Sequence, residues 1–316
     1  MLTLPAGGAA AATAPTGEYP SRPIRWISAS APGGASDLIA RTVGTAMADA
    51  LGVQIVVDNR PGAGNTVGAE IASKAAPDGY TVFGCNIASL AVAPSFYRKL
   101  AYDPDRDFAA IGMIASNPNV FTIHPSLPAR NIQQFIALAK AHPGKLNYGS
   151  AGLGNSPTLS MELFRMQADI RIVLVAYKGV SAAVLDLIAG RIEAMTSTVP
   201  SVLPALRGGK VRPLGVTSLK RDSDVPEVPT VAEQGFPGFE VVSWQGLCTQ
   251  AAVPPAALAR LRAVFNAVAE HPDIRKRLQD QAFQPHYLPA DQFAAWARAE
   301  RAKWAKVIKA IGIEPQ

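Results

Sequence analysis

WISASAPGGASDLIAR, residues 26–41, runs from a short apolar strand through Pro-Gly-Gly directly into an amphipathic helix. Gly33 and Gly34 reach backbone angles closed to other residues and let a ligand approach the main chain, and Ser36 or Asp37 can cap the helix. Leu38, Ile39, Thr42, Val43, Ala46, Met47, Ala50 and Leu51 recur at helical spacing, so one face of this helix packs on a core. Its amino-terminus, with unpaired N–H groups and the positive end of the macrodipole, is a seat for an anion. A plain strand-to-helix connection in an α/β domain carries the same signature.

The design recurs at residues 149–158, GSAGLGNSPT. A strand at residues 146–148 enters a Gly/Ser loop, Ser156 is placed as N-cap, Pro157 falls at the first helical position, and Leu159, Leu163 and Met166 continue one face. Ser150 has Tyr148 rather than glycine two residues before it, which breaks the GxSxG pattern of a serine hydrolase. The loop from Gly62 to Gly68 is spaced GxGxxxG, and Asp78 belongs to a PDG turn, so a nicotinamide or flavin site does not fit.

Outward from these loops, strands alternate with helices. Residues 53–57 read as a fully buried strand, 71–75 as a short helix, and 80–85 as a strand ending at Asn86. A Pro-rich, irregular surface passage follows, up to residue 110. The VFTI strand at 120–123 is placed as a crossover between domains, and 241–248 as the return. Between them lie helices at 131–141, 181–189 and 202–207, and strands at 172–175, read as buried, near Ala194 and at 211–216. After residue 255 the chain reads as helix throughout, at 256–270, 272–281 and 291–311.

The 316 residues suit about two domains. Of the net charge of +6, residues 255–316 supply +4, ten Lys/Arg against six Asp/Glu. Arg298, Arg301, Lys303, Lys306 and Lys309 look like the solvated face of one amphipathic helix with no accompanying run of stacking aromatics, which argues against nucleic-acid binding, while the basic balance favours anionic small ligands. Cys85 and Cys248 sit in apolar runs, with no CxxC and four scattered His, each beside a proline, so a metal site is not expected; whether the two thiols pair stays open. Residues 1–18 resemble the end of a secretory signal peptide, with cleavage near Ala14, and no later stretch approaches a membrane span.

The motifs YPSRPIRWISASAPGGASD, VDNRPGAG, APDGYT, HPGKLNYGSAGLGNSPTLSMELF, YKG, LDLIAGRIE, VPEVPTVAEQGFPGFE and WQGL, in this order, resemble the substrate-binding receptors of tripartite tricarboxylate transporters, the Bug-type periplasmic receptors. The resemblance spans residues 19–316. It implies an α/β, two-lobed type II periplasmic binding protein-like fold with a hinge and a central ligand cleft. Lobe 1 would comprise residues 19–122 and 243–316, and lobe 2 residues 123–242. It further implies a monomeric, exported, non-enzymatic receptor without cofactor, which binds a small mono- or dicarboxylate and delivers it to inner-membrane permease subunits. The contacts it implies are Ser30, Ala31, Gly33, Gly34, Ala35, Ser36, Asp37, Asn65 and Ser89 from lobe 1. From lobe 2 come Ser150, Gly154, Asn155, Ser156, Thr158, Tyr177, Lys178, Thr196 and Ser197. Thr158 stands where many members carry His, and Ser197 where many carry Asp. The competing class is an α/β enzyme acting on an anionic metabolite; the absence of a nucleophile and base set in the sequence favours a receptor.

Overall fold

The computed structural model describes residues 19–150, 154–177, 179–310 and 312. In chain order, strand β1 (Ile24–Ser28) leads to α1 (Ala35–Leu51), β2 (Ile55–Asn59), α2 (Thr66–Ser73) and β3 (Thr81–Asn86). A π turn (Ala88–Val92) and α3 (Ala93–Phe96) then precede the long strand β4 (Phe108–Ile123). Next come α4 (Ile132–Ala141), β5 (Asn147–Ser150), α5 (Ser156–Gln167), β6 (Val173–Ala176), α6 (Val180–Ile188), β7 (Ala194–Thr198), α7 (Val199–Arg207) and β8 (Arg212–Val216). The chain closes with β9 (Val242–Gln250), α8 (Pro255–Glu270), α9 (Pro272–Asp280), β10 (Gln284–Pro289) and α10 (Ala290–Ala310).

All strands join one curled sheet in the order β2-β1-β3-β9-β4-β7-β5-β6, with β8 and β10 also paired to β4. β4 organises it. Up to Pro118 its partners are β9 and β10; from Asn119 they are β7 and β8. β1, β2 and β3 are parallel, as are β5, β6 and β7, so on each side of this change the strand ends that open into helices point the same way. Three apolar clusters fill the layers. One joins α1, α8 and α9 to the sheet around Trp26 and Phe265. A second runs from Phe83 through Phe121 and Phe164 to Trp304. The third packs α6 and α7 on β7 around Leu187 and Val202.

Several expectations are corrected. Residues 87–96 are helical and largely buried, not an irregular surface passage, because Leu90, Ala91, Val92 and Phe96 all face the core. β2 and β6 are edge strands rather than buried ones: Val56 and Val173 stand 51% and 44% exposed. The short strand expected at 120–123 is the end of a strand of 16 residues. β10 interrupts the helical carboxy-terminus; all its residues are half-buried, so no apolar face marks it as a strand. His286 lies half-buried within β10, its Nδ1 3.2 Å from Ser116 Oγ, and burial lowers its pKa. The expected cleavage point at Ala14 lies outside the described residues.

Candidate functional site

The candidate crevice is built from the carboxy-terminal ends of β1 and β3 on one side and of β5 and β7 on the other, linked through residues of the crossing strands β4 and β9. On the first side, Gly33 has φ +80°, and a Cβ on Gly34 would fall 2.9 Å from that of Ser30, so both positions require glycine. Neither Ser36 nor Asp37 caps α1. Gly34 is the N-cap, and the N–H of Asp37 donates back to Ser30 Oγ at 3.0 Å. The Asp37 carboxylate is buried and accepts from Gly33 N (2.8 Å), Asn59 Nδ2 (2.9 Å) and Arg41 Nε (3.0 Å). It fastens the Gly loop to α1 and to β2. Gly34 N closes the turn onto Ala31 O, and Ala35 begins the helix.

Burial pushes the Asp37 pKa up, yet the hydrogen bonds from Arg41, Gly33 and Asn59 together with the Arg41 charge outweigh it, and the net shift is down. A carboxyl held below its unfolded value contributes stability that is complete above that value, about pH 4, and lost as pH falls through the folded one. Asp58 and Asp107 shift the same way. Asp37→Asn should therefore flatten the acid limb of stability measured by urea melts between pH 7 and pH 3; acid limbs that stay parallel for variant and wild type would refute this.

A polar network extends from Ser36. Its hydroxyl donates to Gln245 Oε1 at 2.9 Å and receives Asn86 Nδ2 at 3.4 Å. Asn65, the N-cap of α2 at φ +73°, reaches Asn86 Oδ1 with its amide at 3.4 Å. Ser89 donates its N–H to the same oxygen and its hydroxyl to Asn86 O, both at 3.1 Å. The structure thus brings Ser36, Asn65 and Ser89 together.

On the opposite side the N-cap of α5 is Asn155, not Ser156: Asn155 Oδ1 accepts both Thr158 N and Thr158 Oγ1 at 2.9 Å. Pro157 consequently stands second in the helix. Ser150, the last residue of β5, is in hydroxyl contact with Thr158. Ser156 Oγ donates to Asn119 Oδ1 at 3.3 Å, and Thr196 Oγ1 to Pro157 O at 2.5 Å. Gly154 (φ +84°) lies against Phe96 of α3, where an added Cβ would sit 3.7 Å from the ring. That contact spans the crevice.

Two expected contacts are placed elsewhere. The Tyr177 hydroxyl donates to Asp186 on α6 at 2.8 Å, and its pKa is pushed up to about 12 by burial and by that carboxylate. Ser197 lies opposite Val120 in the β4–β7 pairing, so strand alternation turns it to the face away from Thr196, where its buried hydroxyl has no hydrogen-bond partner among the described residues. Lys178 lies outside the described residues. The sequence reading missed Asn119 and Gln245, polar residues on the two crossing strands. Their signal was amides set within otherwise apolar runs, NPNVFTI and VVSWQGLC. Among the described residues no cluster of three His, Cys, Asp or Glu could hold a metal, and no helix is long and apolar enough to cross a membrane. The site gathers neutral donors around two helix amino-termini, those of α1 and α5.

The sequence profile of the tripartite tricarboxylate transporter family receptor matches residues 39–313. The chain belongs to this receptor family. Its members are binding proteins and not enzymes, which removes the catalytic alternative. The receptor is 38% identical over 291 residues to a protein from the tcbD-tcbE intergenic region of Pseudomonas sp., covering 92% of this chain and 86% of that one. It is 32% identical over 308 residues to BugT of Bordetella pertussis, covering 97% and 94%. Among solved structures, an R. palustris protein with adipate superposes with a TM-score of 0.87 at 31% identity, over 95% of this chain and all of the other. MatC from Rhodopseudomonas palustris with bound malate gives 0.80 at 30% identity, over 92% of this chain and 100% of the other. The two-lobed fold of the periplasmic binding proteins, expected from sequence, is therefore the fold of this receptor.

Proposed function

We propose that this receptor captures a small mono- or dicarboxylate between two lobes and delivers it, as a monomer in the periplasm, to the inner-membrane permease subunits of a tripartite transporter. The lobes are residues 19–122 with 243–316, and 123–242; the change of partners along β4 at Asn119 supports this division. The observation that carries the reading is the pair of helix amino-termini, α1 at Gly34 and α5 at Asn155, tied to the crossing strands through Ser36–Gln245 and Ser156–Asn119 and flanked by the hydroxyls of Ser36, Ser150, Ser156 and Thr158. Such an array of neutral donors suits a carboxylate. Asp37, the carboxylate of the first loop, is already engaged by three donors, so an α-ammonium group would find no acceptor there and would be desolvated at a cost. Relatives solved with adipate and malate support the same chemical class. The contact between Gly154 and Phe96 supports a closed arrangement in which the lobes exclude water.

A thermal-shift panel of mono- and dicarboxylates beside amino acids tests this. At about 100 times its dissociation constant a ligand stabilises the fold by about 2.7 kcal/mol, a rise of about 5–8 °C for a chain of this size. Replacing Ser150 and Ser156 together by Ala should remove the shift while the protein stays folded. A best hit bearing a free amine, or a double variant that keeps full affinity, would overturn the assignment.

A further inference from the structure

Pro94 explains the irregular turn that follows β3, and the turn reaches the crevice. In the π turn the N–H of Ala93 bonds to Ala88 O, five residues back. The donor that would serve Ser89 O in an α-helix is thereby taken. The next donor along the chain, and the α-helical partner of Leu90 O, both fall on residue 94, a proline with no N–H. Two carbonyls are left for side chains. The Tyr102 hydroxyl donates to Ser89 O at 2.6 Å, and Arg301 Nε, from α10, donates to Leu90 O at 2.9 Å. Tyr102 is buried at 4% exposure, and Arg301 is itself held by an ion pair with Asp105. Ser89 grips both the side chain and the carbonyl of Asn86, and the Asn86 amide meets Ser36 at the start of α1. π turns set into helices are frequent at functional sites because they re-aim the flanking residues.

We propose that Tyr102 and Arg301 are positioning residues for ligand capture. Each holds, from behind, a carbonyl that Pro94 deprives of a backbone donor, and together they keep the register that presents Asn86 and Ser89 to the amino-terminus of α1. The inference rests on the reading of this crevice as the carboxylate site.

Pro94→Ala is the discriminating variant. It supplies the missing N–H, competes with Arg301 for Leu90 O and lets the segment slip toward a regular α-helix. A role confined to stability would leave this substitution neutral or favourable. We expect the melting temperature to hold within about 3 °C while the dissociation constant for adipate or malate, whichever binds the wild type more tightly, rises about tenfold. Tyr102→Phe, which keeps the shape of the ring, and Arg301→Met should weaken binding several-fold. Arg301→Lys, which keeps a donor, should restore affinity to within about threefold. In the ligand-free protein, hydrogen exchange across residues 86–93 should speed up in the three weakened variants and not in Arg301→Lys. Wild-type binding accompanied by unchanged affinity and exchange in Pro94→Ala and Tyr102→Phe overturns the positioning role alone. Failure of the wild type to bind any carboxylate of the panel overturns the crevice reading and this inference with it.

Discussion

Gly246→Ala is expected to lower the melting temperature by about 6–9 °C, a loss of about 3 kcal/mol. A Cβ built on Gly246 falls 2.4 Å from Phe293 Cζ, 2.7 Å from its Cε1 and 3.0 Å from Gly112 O. The ring belongs to α10 and is fully buried, so it has no free space to enter, and the carbonyl belongs to the neighbouring strand β4. Gly112 is in the same position: its Cβ would meet Phe265 Cε1 of α8 at 2.5 Å and Leu288 O at 3.1 Å. Two helices therefore lay phenyl rings flush on the crossing of β4 and β9, and a methyl group on either strand must lift a helix or bend the strand. Gly179→Ala is the control, since nothing lies within 4 Å of its Cβ. Calorimetric melts that place the Gly246 and Gly179 variants within 1–2 °C of each other would refute the account.

Asn119→Leu should cost about 3 kcal/mol and, in addition, weaken ligand binding by about tenfold or more. Asn119 is fully buried at the point where β4 exchanges partners. Its amide donates to Ser160 Oγ at 2.8 Å and to Val241 O at 3.4 Å, and its carbonyl oxygen accepts from Ser156. Leucine is close in volume, so the loss comes from polarity rather than from a cavity. Ser160 keeps its bond to Ser156 O and Val241 O keeps that from Thr217, but the Ser156 hydroxyl loses the acceptor that fixes its rotamer. Asn119→Asp keeps the acceptor and serves as the comparison for affinity. Isothermal titration with malate and adipate, beside urea melts, separates the two effects. A variant that is destabilised yet binds as wild type would place Ser156 outside the site.

The loops at Gly33–Gly34 and Gly154–Thr158 were legible in sequence because their chemistry is local: a strand end, glycines of positive φ and a run of helical periodicity announce themselves within a dozen residues. The caps were read one to seven residues out of place. Ser30 and Asn155 do the work that the sequence assigned to Ser36 or Asp37 and to Ser156, since several residues in each loop can cap and only the path of the backbone selects among them. Buried and edge strands were confused at β2 and β6, where apolar composition is the same and only the order of strands tells them apart. Asn119, Gln245, Tyr102 and Arg301 matter through partners between 13 and 211 residues away, a separation that no periodicity reports. Residues 87–96 escaped because proline is ordinarily a sign against helix, and here it shapes one.

The placement of β9 between β3 and β4 has a consequence for the order in which the chain can assemble. As the polypeptide emerges amino-terminus first, β1, β2, β3 and the first part of β4 are made long before residues 242–250, the strand that must lie between them. Residues 119–216 include β5 to β8 and the end of β4 to which β7 and β8 pair, so that part of the sheet is complete without waiting. The amino-terminal part is not. Until β9 arrives, β3 and β4 both carry unpaired edges, and Trp244, Leu247 and Cys248 are missing from the cores that cover them. Such a half-built sheet is a template for intermolecular pairing. The nascent chain thus stays vulnerable while residues 119–241 are made, and the strand that ends this exposure is also the one that carries Gln245 to Ser36.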